Sequence, residues 1–332
     1  MLARLAQGGR HRSVRRIPDW TGEIRRVGSG LASWPPQQTM TVSGWIKVSD
    51  EGTNSPLVAR LFFAPLETRD LFLLGGLEEP AKQARKAVFD ARYTPVYNAA
   101  KATRDAGLEA VHLVVTHYTR ISSGEAVKIG AGHYEVLENI DSELEQAIDR
   151  LLDQAVVCTK GGIQTILRDL LGLDIGFLFQ EDPRFEEGVA GLRGSSEGAL
   201  GDYLTEVRKT WLSGLLRYRN LHEHEGWTLP RIQYGLRSST QVGIILPKLD
   251  DINVHEWAWR TANRVLLFAE NMLVYGMSRN TPLPINVVEI PSQAREPTDV
   301  RRFAFTPRGL DPSPSWAIYF RDDMDFLPPP DA

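Results

Sequence analysis

Residues 137–156 read LENIDSELEQAIDRLLDQAV, and this stretch decides the fold class of the chain. Its apolar residues recur at steps of three and four with charged residues between them, which is the period of an amphipathic α-helix. These apolar residues are Leu137, Ile140, Leu144, Ile148, Leu151 and Leu152. The pattern predicts a helix that begins near Glu138 and buries one face against other helices.

Three further segments downstream have the same helical period. They span residues 163–171, 199–224 and 252–277. The first of them is expected to stop near Gly172, since glycine commonly ends helices. Four amphipathic segments predict a four-helix bundle over residues 138–280, and the expected fold class is mainly α.

The connections between these helices are indicated by glycine and aspartate. The pair Gly161-Gly162 is interpreted as a structural break after the first helix. Either Asp250 or Asp251 is the expected N-cap of the last helix. Residues 182–196 are rich in Gly, Glu and Arg and are predicted to form a long loop.

The remainder of the chain divides into three parts. Residues 1–38 are predicted to be a basic arm or loosely ordered lead-in, and residues 39–137 a mixed α/β region. Residues 281–332 are predicted to be a C-terminal extension with short β segments and an acidic, proline-rich tail. The strand candidates of that extension are residues 285–290, 303–305 and 316–320.

Within the mixed region, three short stretches have the length and the β-branched composition of strands. They are Thr41–Val48, Leu57–Phe63 and Val111–Tyr118. Between them, Glu78–Ala106 is rich in Ala, Lys and Arg. It predicts one or two helices broken at Pro95, because proline interrupts a helix interior.

The charge balance limits how the chain could bind a nucleic acid. Its 332 residues include 38 basic and 42 acidic side chains, a net charge of −4. The first 30 residues contain seven arginines against Asp19 and Glu23, so they carry +5 and the remainder carries −9. A balance of this kind argues against nonspecific coating of long nucleic acids, which needs many phosphate contacts.

Several other classes are excluded by what the sequence lacks. Cys158 is the only cysteine, so neither an internal disulfide nor a thiolate-rich zinc site is expected. There is no run of about 18 apolar residues and no apolar signal core, which predicts a cytoplasmic protein without membrane association. The GxxxxGK[ST], HExxH, GxSxG and CxxC motifs are absent, and no cofactor or metal is expected.

The densest polar cluster at a predicted helix end is LRYRNLHEHEGW, residues 216–227. Arg219 and His224 lie on the last turn and a half of the third helix, with Gly226 as its stop. The helical period places them about 140° apart, so they could flank a groove. Arginine can hold a phosphate with two hydrogen bonds, and histidine exchanges protons near neutral pH. Asn220 could orient either the substrate or the histidine.

This chemistry is sufficient for RNA self-cleavage, in which the ribose 2′-hydroxyl attacks the adjacent phosphorus. The same residues also allow a simpler interpretation, because histidine and arginine near a helix C-terminus stabilise the helix dipole. With Glu223 and Glu225 nearby, the cluster would then be a solvated cap. The other five histidines are scattered and are interpreted as packed or surface residues. They are His11, His112, His117, His133 and His255.

The sequence RNLHEH at Arg219–His224 resembles the R-N-x-x-x-H form of the R-x4–6-H motif of HEPN domains. These domains are helical bundles found in prokaryotic defence and toxin systems. As in that family, the motif ends a late core helix, here the third of four predicted helices. The following Gly226-Trp227 also resembles sequences of uncharacterised bacterial HEPN-like proteins. The resemblance covers residues 138–280.

The resemblance implies a metal-independent endoribonuclease whose active site forms across a homodimer. By position, Arg219 would bind phosphate, His224 would be the acid/base, and Asn220 would support them. Accessory candidates are Arg217, His222 and Glu223. RNA, a second copy of the chain and a cognate regulator protein are the implied partners.

Two alternatives to this enzyme remain open at the level of sequence. Many HEPN domains are non-catalytic, so the chain could be a HEPN-like helical module that binds RNA or a partner protein. It could also be an enzyme whose site lies in residues 1–137 or 281–332, although no residue there can be nominated.

Overall fold

The computed structural model describes residues 78–130, 133–238, 240–280, 285–289 and 303–307. The predicted arm, the strand candidates at 41–48, 57–63 and 316–320, and the acidic tail lie outside these residues. The described residues are mainly helical with a few short strands, which confirms the predicted fold class at that level. No helix in these ranges is long and apolar enough to cross a membrane.

The helices follow one another closely along the chain. The α-helices are α1 (Ala81–Ser122), α2 (Asp141–Val156), α3 (Gln164–Leu171), α4 (Asp182–Arg193), α5 (Gly198–Val207), α6 (Ser213–Glu225) and α7 (Val254–Asn280). A π-helical turn, π1 (Val157–Ile163), joins α2 to α3, and another, π2 (Arg208–Leu212), joins α5 to α6. A 3₁₀ turn spans Gly176–Phe179.

The strands form short antiparallel pairs between and after the helices. They are β1 (Val127–Ile129), β2 (Tyr134–Val136), β3 (Gln233–Ser238), β4 (Gln241–Ile245), β5 (Lys248–Leu249), β6 (Ile252–Asn253), β7 (Ile285–Glu289) and β8 (Phe303–Pro307). Each odd-numbered strand pairs with the strand that follows it. The β7–β8 pair confirms the strands predicted at 285–290 and 303–305.

Helix α1 departs most from the predicted elements. It runs for 42 residues through Pro95 and through Val111–Tyr118, so the predicted break and the predicted strand are both wrong. Proline removes the hydrogen bond to the carbonyl four residues earlier, which belongs to Ala91. Both Ala91 and Pro95 are exposed, so water can satisfy that carbonyl and the helix continues.

Burial on one face explains why Val111–Tyr118 is helical despite its β-branched residues. The buried residues of this part of α1 recur at helical spacing. They are Ala110, Val114, His117 and Ile121. Helix α1 packs against α2 and α7, and this tertiary packing outweighs the local preference for a strand. The packing also crosses residue 137, where a domain boundary was predicted.

The predicted loop at residues 182–196 is also wrong, because most of it forms α4. Pro183 lies in the first turn of α4, where its missing N–H removes no helical hydrogen bond. Phe185 and Val189, four residues apart, bury one face of the helix. The charged residues that suggested a loop are exposed, whereas Gly188 is half-buried and packs closely on Phe177.

The predicted helix boundaries are partly confirmed. Gly172 and Gly226 follow α3 and α6 with φ of 62° and 65°, as expected for glycine after a helix. The pair Gly161-Gly162 lies inside π1 and does not break the helical path.

The predicted N-cap of the last helix is wrong. Asp250 and Asp251 form the turn between β5 and β6, with φ of 52° and 62°. Helix α7 begins only at Val254.

Aromatic contacts hold the segment from α5 to α6 against α7. Phe268 of α7 stacks on Tyr203 at 6.4 Å between ring centroids and meets Trp211 edge-on at 6.1 Å. Asn271 donates a hydrogen bond to the Tyr203 hydroxyl at 3.1 Å. All four side chains are buried. This packing anchors the helical segment whose end carries the Arg219–His224 motif.

The hairpin β3–β4 was not predicted, and it packs beside α1. The Tyr234 hydroxyl lies 2.8 Å from Nε2 of His117, which is buried. Tyr134 of β2 donates a hydrogen bond to the Tyr234 carbonyl at 2.8 Å. His117 is therefore a packed histidine, as interpreted from the sequence, although it lies on a helix.

Candidate functional site

The motif lies where α6 ends. Gly226 adopts the left-handed conformation, and the backbone N–H of Trp227 donates to the Leu221 carbonyl at 3.2 Å. This arrangement closes the helix and leaves its last turn accessible to solvent. The predicted helix stop at Gly226 is confirmed.

The side chains of Arg219, Glu223 and His224 form one cluster on this last turn. Arg219 donates a hydrogen bond from Nη2 to Oε1 of Glu223 at 2.8 Å. The other carboxylate oxygen of Glu223 lies 3.4 Å from Nε2 of His224. The His224 side chain is 66% exposed, whereas that of Arg219 is 29% exposed. One carboxylate therefore connects the arginine and the histidine that the motif singles out.

Arg219 also borders an open depression of about 420 Å³ on the side of α6 that faces π1 and α3. Its lining residues come from the end of α2, from π1, from α3 and from α6. They are Val156, Val157, Lys160, Gly161, Gln164, Thr165, Arg168 and Arg219. Arg219 thus belongs both to the cluster with Glu223 and His224 and to the wall of this depression.

The charged side chains that line the depression are all cationic. Lys160, Arg168 and Arg219 contribute positive charge, and none of the described residues that line it is acidic. Arg168 donates a hydrogen bond to Asp169 at 2.9 Å. Lys160 is exposed and forms no ion pair within the described part of the chain. Arg168 and Arg219 are each paired with a carboxylate, so Lys160 is the lining cation that an anionic group could meet without displacing a described partner.

Sequence reasoning missed the residues of α2, π1 and α3 in this depression. Lys160 and Arg168 lie far from the motif in the chain, and no spacing rule connects them to Arg219. The one available signal was Gly161-Gly162, which was interpreted as purely structural. Gly162 does pack tightly, but Gly161 has open space beside it and lines the depression.

His222, an accessory candidate, contacts α2 and the segment after α6. Its Nδ1 lies 3.3 Å from Oδ1 of Asp149 and 3.4 Å from the Trp227 carbonyl. Burial raises the pKa of the Asp149 carboxyl, and the positive charge available on His222 opposes that rise. These contacts give His222 a part in holding α6 against α2.

Arg217, the other basic accessory candidate, contacts the turn between β5 and β6. It forms an ion pair with Asp250 and lies over the Tyr218 ring at 4.7 Å. Asp250 also accepts hydrogen bonds from the Tyr218 hydroxyl at 3.2 Å and from Trp257 Nε1 at 3.2 Å. These contacts hold Asp250 in its left-handed conformation, so its role differs from the helix cap predicted for it.

The structure therefore brings together only part of the predicted residue set. Arg219, Glu223 and His224 share one cluster, whereas Arg217 and His222 have partners on other elements. The Asn220 side chain is exposed and makes no hydrogen bond with any described residue. Within the described ranges, no group of three or more His, Cys, Asp or Glu residues could hold a metal ion.

Comparisons with known proteins assign the chain to no family. No protein-family model, curated protein or solved structure matches the chain. The HEPN interpretation therefore depends on the residues Arg219–His224 and on their place in the chain.

Proposed function

We propose that the chain is a metal-independent endoribonuclease of a prokaryotic defence or toxin-like system, with a HEPN-like four-helix bundle and a cytoplasmic location. One observation carries the proposal. Arg219 lies between the exposed His224 and an open depression whose charged lining is entirely positive. A phosphate at Arg219 would be close to an accessible acid/base and to further cations.

The proposed reaction needs only groups that the cluster supplies. The ribose 2′-oxygen attacks the adjacent phosphorus, the bond from phosphorus to the 5′-oxygen breaks, and a 2′,3′-cyclic phosphate and a 5′-hydroxyl result. His224 accepts the proton of the 2′-hydroxyl or donates one to the leaving 5′-oxygen. In a homodimer, His224 of each copy would take one of these two roles.

Arg219 would neutralise the phosphate as its charge increases in the transition state. Its guanidinium presents a fork of donors that matches phosphate as well as carboxylate. Glu223 occupies part of that fork. When phosphate binds, it therefore replaces the Glu223 carboxylate as the anionic partner of Arg219. Asn220 lies on the same turn and offers a neutral hydrogen-bonding group.

The test is cleavage of a 5′-labelled single-stranded RNA in the presence of EDTA. Wild-type protein should yield products that end in a cyclic phosphate, and His224→Ala and Arg219→Ala should yield none. His112→Ala and Arg184→Ala are matched controls, because both residues are exposed and lie on α1 and α4. Equal cleavage by the wild type and both motif variants would refute the proposal.

A non-catalytic module that binds RNA or a partner protein is the second candidate. It is favoured by the contacts of Glu223 with both Arg219 and His224, since such contacts are also what a solvated helix cap contains. Under this alternative no cleavage product forms, and Arg219→Ala lowers stability or assembly instead. A urea titration and light scattering on the same variants distinguish the two candidates.

A further inference from the structure

The depression beside Arg219 has the features of a binding site for a second phosphate. It is open and has a volume of about 420 Å³, within the roughly 300–1,000 Å³ typical of small-ligand sites. Lys160 and Arg168 line it together with Arg219, and the two valines Val156 and Val157 provide an apolar wall. Cationic groups and an apolar wall suit one nucleotide, whose phosphate is charged and whose sugar and base have apolar faces.

The π-helical turn π1 contributes directly to this surface. It supplies Val157, Lys160 and Gly161 to the lining. A Cβ atom placed on Gly161 would meet no atom within 4 Å, so a ligand can approach the backbone there closely. Such single π-helical turns occur frequently at functional sites. Lys160 in particular has its ammonium group available, since it forms no ion pair with a described residue.

We propose that this depression binds the phosphate next to the scissile one in a single-stranded RNA. Lys160 is its principal ligand, and Arg168, whose Nε donates to Asp169, is the second through its remaining N–H groups. The identity of the ligand as RNA depends on the proposed function, but the binding step does not require cleavage. A single strand is favoured because a nucleotide placed against Val156 and Val157 would need a base free of its duplex partner. The net charge of −4 agrees with a few local phosphate contacts.

The experiment measures binding of a fluorescein-labelled, 2′-O-methyl single-stranded RNA of about eight nucleotides by anisotropy, because this probe binds like a single strand but cannot be cleaved. Lys160→Gln should weaken binding about two- to fivefold, as expected for the loss of one exposed ion pair. It should also reduce the slope of log K against log salt by about 0.7. Lys160→Arg should restore both.

Lys209→Gln is the matched control. Lys209 is an exposed lysine on the other π-helical turn, π2, and it does not line the depression. Its replacement should leave the dissociation constant and the salt slope unchanged. Circular dichroism of each variant verifies that the helices are intact.

The outcomes separate this inference from the proposed function. If Lys160→Gln binds the probe like wild type and like Lys209→Gln, the inference is overturned, whether or not RNA is cleaved. The same holds if the probe does not bind at all. If binding depends on Lys160 but His224→Ala and wild type both fail to cleave, the phosphate site stands and the nuclease does not. A duplex of the same sequence that binds equally well would overturn the preference for a single strand.

Discussion

Replacement of Gly162 by alanine tests how closely π1 packs against α1. A Cβ atom added at Gly162 would lie 2.5 Å from Cγ2 of Val96 and 3.2 Å from the Val157 carbonyl oxygen. Val96 is itself buried, at 1% exposure, so it has little room to move. Gly161 provides the control, because an added Cβ there meets nothing within 4 Å.

The expected magnitudes follow from these two environments. Overpacking a closed core costs about 1–3 kcal/mol. Replacing glycine by alanine inside a helix contributes about 1 kcal/mol in the opposite direction. Gly161→Ala should therefore be as stable as wild type or slightly more stable. Because both variants gain the same helical preference, Gly162→Ala should be less stable than Gly161→Ala by about 1–3 kcal/mol.

Urea titration followed by circular dichroism measures this difference. A double-mutant cycle adds the decisive step, since Val96→Ala removes the methyl group that the new Cβ would meet. Gly162→Ala should destabilise the Val96→Ala background less than it destabilises wild type. Equal stabilities of the two glycine variants, or no coupling between Gly162 and Val96, would refute the reasoning.

Three further predictions concern single side chains. Burial lowers the pKa of His117 below 6.5, so the folded state resists protonation of this side chain. The free energy of unfolding should therefore fall as pH decreases from about 6.5. In urea titrations, His117→Gln should lose less stability than wild type between about pH 8 and pH 5. Burial raises the pKa of the Cys158 thiol to about 12, so a chromogenic disulfide reagent should react only after unfolding, and rapid reaction in buffer would contradict this packing. Glu223→Gln removes the anionic partner of Arg219 and should strengthen binding of the uncleavable RNA up to about fivefold, whereas weaker binding would show that Glu223 assists the ligand.

Residues that follow one periodic pattern could be predicted from the sequence, because their burial is encoded locally. The apolar positions of α2 and α3 and the glycines at 172 and 226 belong to this group. Helix α1 could not be predicted in full. The β-branched residues of Val111–Tyr118 favour a strand. This segment is helical because α1 packs against α2 and α7, which are distant in the sequence.

The candidate site divides in the same way. Arg219 and His224 are close in the chain, so their shared position at a helix end could be predicted from the helical period and from Gly226. Lys160 and Arg168 reach the same place only because α2, π1 and α3 pack beside α6. The partner of Arg219 was likewise not foreseen, although Glu223 lies four residues away on the same face, where such pairs form.

The ion pair between Glu223 and Arg219 is compatible with both candidate functions, and its free energy determines how easily a phosphate can replace the carboxylate. The two side chains are 43% and 29% exposed, and an exposed ion pair of this kind contributes about 0–1 kcal/mol. A phosphate can therefore replace the carboxylate at little cost, particularly where Lys160 and Arg168 add positive charge on the other side of Arg219. A structural cap has no need of Lys160, whereas Arg168 is already paired with Asp169. Lys160, which forms no ion pair within the described residues, is what favours a phosphate ligand over a cap, and the two- to fivefold weakening of RNA binding expected for Lys160→Gln is the measurement that tests that distinction most directly.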